Sequence, residues 1–361
     1  MLALADTTAP LERELLDAKG GFAWWYLDLL DDDHNGCVLI WSFGLPFLPG
    51  RESASRAGRP IPCREQPSVN VVVFREGKPD LYVLQQHPEK DAVWEPGTED
   101  VRIGRSTFSS RREGDRRICI ANLDLDLPDG KVLTGSVQVR GAAAQVAPSE
   151  PDPNHQWSLL CTATRGQARL SVDGAPFLDI EARAYHDRNG SVAPLDGLGI
   201  RHWLWGRAPW GDRERIWYLL WPHTGEPVAW GLDVGPDGST RVVSDLGIRR
   251  QGFRLGRFGM PWHRRLELSH NGEPWLVVTH DKTVDNGFFY QRWLTRTEAP
   301  DGSVGAGTAE SVRPGRVDRA WSRWLVSMAV DRVGRQNSRF IRLFSGAKTG
   351  DAPALLDVES R

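Results

Sequence analysis

Six glycine-containing turn pairs punctuate this chain: Asn35-Gly36, Asp129-Gly130, Asp173-Gly174, Asp237-Gly238, Asn271-Gly272 and Asp301-Gly302. Asn, Asp and Gly tolerate the positive φ that tight hairpin loops demand, and the runs between these pairs alternate apolar with polar residues. Segments 118–127 and 131–140 read as one hairpin, and 168–172 with 176–182 as another. Segments 216–221, 264–269 and 275–279 continue the pattern. Helical spacing is confined to 11–18 and to 319–333, where Trp321, Trp324, Leu325 and Met328 share a face. The expectation is an all-β protein, a meander curling into barrels or a sandwich, with a C-terminal helix.

A chain of 361 residues exceeds the usual span of one domain. A division near 209–215 is expected, giving units 1–208 and 209–361, with the candidate active site in the first. The Gly-, Pro-, Ser- and Arg-rich loop 46–67 is long enough to be a lid or a crossing segment, and 142–154 is irregular.

With 45 basic and 47 acidic side chains the formal charge is -2, so nothing global draws the chain to nucleic acid. Cys37, Cys63, Cys119 and Cys161 form no C-x-x-C pair, which fits reduced thiols rather than a zinc ribbon. The N-terminus lacks a basic, then apolar leader, and no apolar run approaches the roughly 18 residues of a membrane span. A cytoplasmic protein is expected.

The 16 tryptophans carry more information, because several sit in four segments that hold the candidate chemistry. Gly20-Gly21-Phe22-Ala23-Trp24-Trp25-Tyr26 is by itself compatible with an ordinary barrel strand. In His155-Gln156-Trp157 an extended backbone sends His155 and Trp157 to one face. A buried histidine alone is more often a satisfied core group than a catalyst. In Tyr185-His186-Asp187-Arg188-Asn189-Gly190 the same alternation aligns Tyr185, Asp187 and Asn189, with a hairpin able to close at Asn189-Gly190. Asp187 read singly is more often a turn-flanking carboxylate. Trp203-Leu204-Trp205-Gly206-Arg207 aligns Trp203, Trp205 and Arg207. No H-E-x-x-H, phosphate loop or G-x-S-x-G is present. His186-Asp187 with His155 or His202 matches no zinc spacing, so no metal is expected.

Gly-Phe-Ala-Trp-Trp-Tyr, His-x-Trp, Tyr-x-Asp-x-Asn followed by Pro194-Leu195, Trp-x-Trp-x-Arg, Phe288-Phe289-Tyr290-x-Arg292 and the segment from Glu310 to Arg319 occur in the order seen in carotenoid 1,2-hydratases. The chain resembles that family, also called hydroxyneurosporene synthases. The resemblance implies two lipocalin-like antiparallel β-barrel halves. It also implies an enzyme that adds water across a terminal C=C bond of an acyclic carotenoid without a cofactor. The family's active-site His, Trp, Tyr and Asp match His155, Trp157, Tyr185 and Asp187. Where the family commonly has His after the Asp, this chain has Arg188, with His186 before it.

Such chemistry needs a carboxylic acid that keeps its proton near neutral pH, which an apolar pocket provides. Asp187 is the expected acid. Trp24, Trp25, Tyr26, Trp203, Trp205 and Asn189 are expected to bind the polyene, and the rings of Trp157, Trp203, Trp205 and Tyr185 to stabilise the cation. The water's proton is expected to return to Asp187 or pass to His155, while Arg207 is expected to pair away from Asp187. Two other readings stand beside hydration: a cyclase or pericyclase on the same scaffold, and a non-catalytic carrier of an apolar ligand. Substrate delivery from a bilayer suggests transient membrane contact through Leu45-Pro46-Phe47-Leu48.

Overall fold

The computed structural model describes residues 3–5, 7, 10–95, 97–146 and 155–347. Its strands form two curled, largely antiparallel sheets, of fourteen and nine strands among the described residues. In the first, Gly36–Phe43, Phe22–Leu30, Ala175–Ser191 and Gln156–Val172 lie side by side. In the second, Arg213–Pro222, Ile200–Trp210, Val304–Val312 and Tyr290–Glu298 are neighbours. No helix of the described residues is long and apolar enough to cross a membrane.

Side-chain alternation along the strands produces three large apolar cores, with a small fourth cluster of Leu45, Leu48, Leu84 and Val330 beside them. Ala23, Trp25, Leu27 and Leu29 point into the first curled sheet with Trp41, Phe108 and Val137. Leu204, Trp217, Leu219 and Trp293 fill the second. The remaining faces meet between the halves, where Phe22, Trp24, Tyr26, Trp157 and Tyr185 of one sheet pack with Trp203, Trp205, Tyr218 and Val312 of the other. A large aromatic side chain removes about 150–250 Å² from water, about 4–6 kcal/mol of transfer free energy. The tryptophans therefore hold the halves together as well as filling them. Gly206 permits one such contact: a Cβ there would lie 2.2 Å from Cζ2 of Trp217 on the paired strand.

Several expectations change. The sheets change over between Ser191 and Ile200, so strand Ile200–Trp210, assigned to the first unit from sequence, hydrogen-bonds within the second sheet. Asn189-Gly190 does not turn. It continues a strand paired on one side with Ala23 and Trp24 and on the other with Gln156 and Trp157. The helix expected over 319–333 is short, Arg323–Met328, because the chain then adds Val330–Arg332 to the first sheet beside Lys78–Gln86. The segment 11–18 holds a 3-10 turn, Arg13–Asp17. Leu45 and Leu48 are buried and Phe47 lines a cavity, so that loop offers no apolar face to a membrane. Loop 46–67 holds a short helix, Arg51–Arg56, whose Arg51 is buried and donates to the Gly21 carbonyl.

Candidate active site

Strand Ala175–Ser191 carries Tyr185, Asp187 and Asn189 on the face toward the second sheet. Asp187 is 5% exposed. Its Oδ2 accepts from the Tyr185 hydroxyl at 2.7 Å and from Trp157 Nε1 at 2.8 Å, and Asn189 Nδ2 lies 3.4 Å from Oδ1. Burial pushes the Asp187 carboxyl up to about 7, although the donors Tyr185 and Trp157 favour the charged form and pull the other way. His155 stands one link further back, its Nε2 3.3 Å from Asn189 Oδ1 and its ring against Phe22.

The opposite face of the same strand is structural. His186 is held between the Tyr26 carbonyl and Ser110 Oγ, 2.8 and 3.0 Å away, and burial pushes it down to about 3. Arg188 pairs with Glu99 inside the first sheet. Both positions that depart from the family pattern therefore point away from Asp187. Trp25 points the same way, bonding Glu99 and packing edge-on to Trp94, so this expected substrate contact belongs to the barrel core.

A cavity of about 50 Å³ between the halves is lined by Asp187, Asn189, Trp24 and Tyr26 from the first sheet and by Trp203, Trp205, Tyr218, Tyr290 and Glu310 from the second. Trp205 packs against Tyr185 and Tyr26 at ring-centroid distances of 5.2 and 5.5 Å. Trp157 packs on Tyr218 and Trp230 at 5.8 and 5.5 Å. Through Ile40, Leu45, Phe47 and Tyr290, shared by both walls, this cavity adjoins a larger one of about 460 Å³. Val72, Leu84, Phe258, Val284, Phe289 and Val326 are among the residues that line the larger space.

Beneath the aromatic wall runs a buried charge network. Arg207 is paired with Asp28, its Nε 3.2 Å from Oδ2, and its Nη1 is 2.9 Å from Glu214 Oε1. It thus pairs away from Asp187, as expected. Arg292 donates through Nε to Glu310 Oε1 at 3.0 Å. The Tyr26 hydroxyl lies 3.1 Å from both Asp28 Oδ2 and Glu310 Oε1 and joins the two pairs.

The sequence pattern does not mark Glu310, Tyr290 and Tyr218 as site residues. Tyr290 and Glu310 fall inside segments whose signal is family resemblance alone. Tyr218 carries no motif; its one signal is alternation with Ile216 and Leu220 opposite Trp205, its register partner.

Two curled, lipocalin-like antiparallel sheets with a buried carboxyl in the aromatic seam between them define the class of scaffold. Solved structures share the fold. A Nitrosomonas europaea protein assigned to AttH superposes with a TM-score of 0.58 at 14% identity, covering 86% of this chain and 99% of that one. CghA with Sch210972 gives 0.56 at 13% identity, covering 86% and 96%. The family model for carotenoid hydratase CrtC matches residues 55–341, and the chain belongs to that family of hydro-lyases. Hydroxyneurosporene dehydrogenase of Chlorobaculum tepidum is 22% identical over 90% of this chain and 91% of its own length. The acyclic carotenoid 1,2-hydratase of Rubrivivax gelatinosus is 24% identical over 77% of this chain and 65% of its own length. That of Thiocapsa roseopersicina is 27% identical over 54% of this chain and 46% of its own length.

Proposed function

We propose that this enzyme adds water to a terminal trisubstituted double bond of an acyclic carotenoid or related isoprenoid polyene, with Asp187 as general acid. The observation that carries the reading is the Asp187 carboxyl itself, buried among indole and phenol rings and pushed up to about 7. The small cavity receives the reacting terminus, and the apolar space beyond Phe47 and Tyr290 receives the adjoining chain.

Asp187 gives its proton to the less substituted alkene carbon. A C–H bond forms from the π pair, and a tertiary cation remains beside Trp205, Tyr185 and Tyr218. Ring quadrupoles stabilise such a cation by about 0.5–2 kcal/mol per contact. Water then forms the C–O bond. Its surplus proton goes to Glu310, whose counter-charge is Arg292 and which lines the same cavity. Trp205 Nε1–H is buried without a protein acceptor among the described residues and is suited to orient that water. Return of the proton to Asp187 through solvent closes the cycle. Alkene and water become a tertiary alcohol with no change of redox state, so the balance requires no electron carrier.

Incubation with lycopene or neurosporene should give a product heavier by one water, and Asp187→Asn should give none while remaining folded. An isomer of unchanged mass would replace hydration with cyclisation. A polyene that quenches tryptophan fluorescence but is recovered intact would leave only a carrier.

A further inference from the structure

The wall of the large cavity leads outward to a surface of different character. Phe258 and Phe288 line that cavity with ring centroids 4.1 Å apart, and Phe288 meets Trp321 at 6.2 Å. Trp321 is 48% exposed and Trp324 is 56% exposed. Beside them Arg201, Arg313, Arg316, Arg319 and His223 surround a recess of about 300 Å³ whose wall contains no Asp or Glu. Arg316 stacks over Trp321 at 5.5 Å and donates to the Phe258 carbonyl at 3.3 Å, which joins the cationic recess to the cavity wall.

None of these four arginines forms an ion pair with a carboxylate among the described residues. Arg313 is lowered by burial and then by Arg316, Arg201, Arg250 and Arg319. Crowding like charges without counter-ions is unfavourable, and an external anion relieves it. The chain as a whole carries -2, so this is a local feature and not a consequence of composition. Exposed indoles next to guanidinium groups suit one environment in particular, the headgroup region of an anionic leaflet, where rings sit at the interface and arginines hold phosphates.

We propose that this face, centred on Arg201, Arg319, Trp321 and Trp324, rests on an anionic phospholipid bilayer and brings the Phe258–Phe288 wall of the large cavity to the membrane surface. The position of the contact beside that cavity rests on the reading that an apolar chain occupies it. The contact itself is testable without turnover.

The full chain is sedimented with vesicles of phosphatidylcholine alone and of phosphatidylcholine containing phosphatidylglycerol, at low and high salt. Binding is expected only to the phosphatidylglycerol vesicles, weakening at high salt. The double variant Arg201→Glu/Arg319→Glu, both at exposed positions, should bind roughly a hundredfold more weakly. Trp324→Ser should weaken binding without changing its salt dependence. Turnover of substrate supplied in detergent micelles should match wild type in these variants, whereas turnover of vesicle-borne substrate should fall. Equal binding to neutral vesicles, or wild-type binding by the charge-reversed variant, would overturn the proposal. So would self-association through Trp324 with no vesicle binding. Vesicle binding by a protein that hydrates nothing would leave this surface standing and remove only the proposed reaction.

Discussion

Asp187 and Glu310 line one cavity from different sheets, the first bonded to an indole and a phenol, the second to a guanidinium. In the proposed hydration the pair would divide the two proton transfers, one acid for carbon and one base for water, and each transfer has its own test.

In deuterated water, protonation of the alkene by Asp187 followed by reversal should leave deuterium in recovered substrate. Glu310→Gln is expected to lower hydration by about 10²–10⁴-fold while this exchange persists, and Asp187→Asn to abolish both. Loss of exchange in Glu310→Gln, measured by mass spectrometry, would show that Glu310 does not act after the cation.

The proposed reaction uses the acid form of Asp187, so activity should fall as pH rises through about 7. Tyr185 and Trp157 hydrogen bonds favour the carboxylate, and removing either donor raises the carboxyl further. Tyr185→Phe and Trp157→Phe should therefore move the alkaline limb of the rate profile upward, alongside a lower maximum. A limb that stays in place or moves down in both variants would contradict this assignment.

The same residue should cost stability at high pH. Its folded value of about 7 lies above the ordinary 3.8, so the folded chain retains this proton where the unfolded chain has lost it. That contribution is complete below roughly pH 4 and disappears as pH rises through 7. Asp187→Asn, whose amide oxygen can still accept from Tyr185 and Trp157, should melt at a higher temperature than wild type at pH 8, with the difference shrinking toward pH 5. A lower melting temperature for the variant at pH 8 would be inconsistent with this account.

Arg207 is fully buried between Asp28 and Glu214. Arg207→Met leaves two buried carboxylates without their partner and should destabilise the protein by about 3–5 kcal/mol in urea unfolding. A change under 1 kcal/mol would mean that water or rearrangement replaces the guanidinium.

Chain length is tested at Ala329, which lines the large cavity and not the small one around Asp187. Ala329→Trp should raise KM for a long polyene while a short isoprenoid alkene reacts as before. Equal kinetics for both would move the chain elsewhere.

Much of the fold was legible because hairpin turns are local. Asp173-Gly174 and Asn271-Gly272 needed only their own φ preferences, and both residues of each pair sit at positive φ in the structure. The grouping of Tyr185, Asp187 and Asn189 followed from strand alternation. Trp25 was misassigned for the same physical reason: adjacent indoles in a strand must part, and only Trp24 and Tyr26 face Asp187. Asn189-Gly190 has turn composition, but neighbouring strands on both sides supply its backbone hydrogen bonds and hold it extended. Glu310 and Tyr290 escaped because the site lies between sheets, and no local pattern tells which outward faces will meet.

Each curled sheet fills its own interior, and the cavity with Asp187 belongs to neither. Cavity-lining positions such as Trp203, Tyr218 and Val284 can consequently be exchanged without entering the packing inside either barrel. A scaffold divided this way can change what it accepts by remodelling one seam, while the packing inside each curled sheet stays on the far side of its strands.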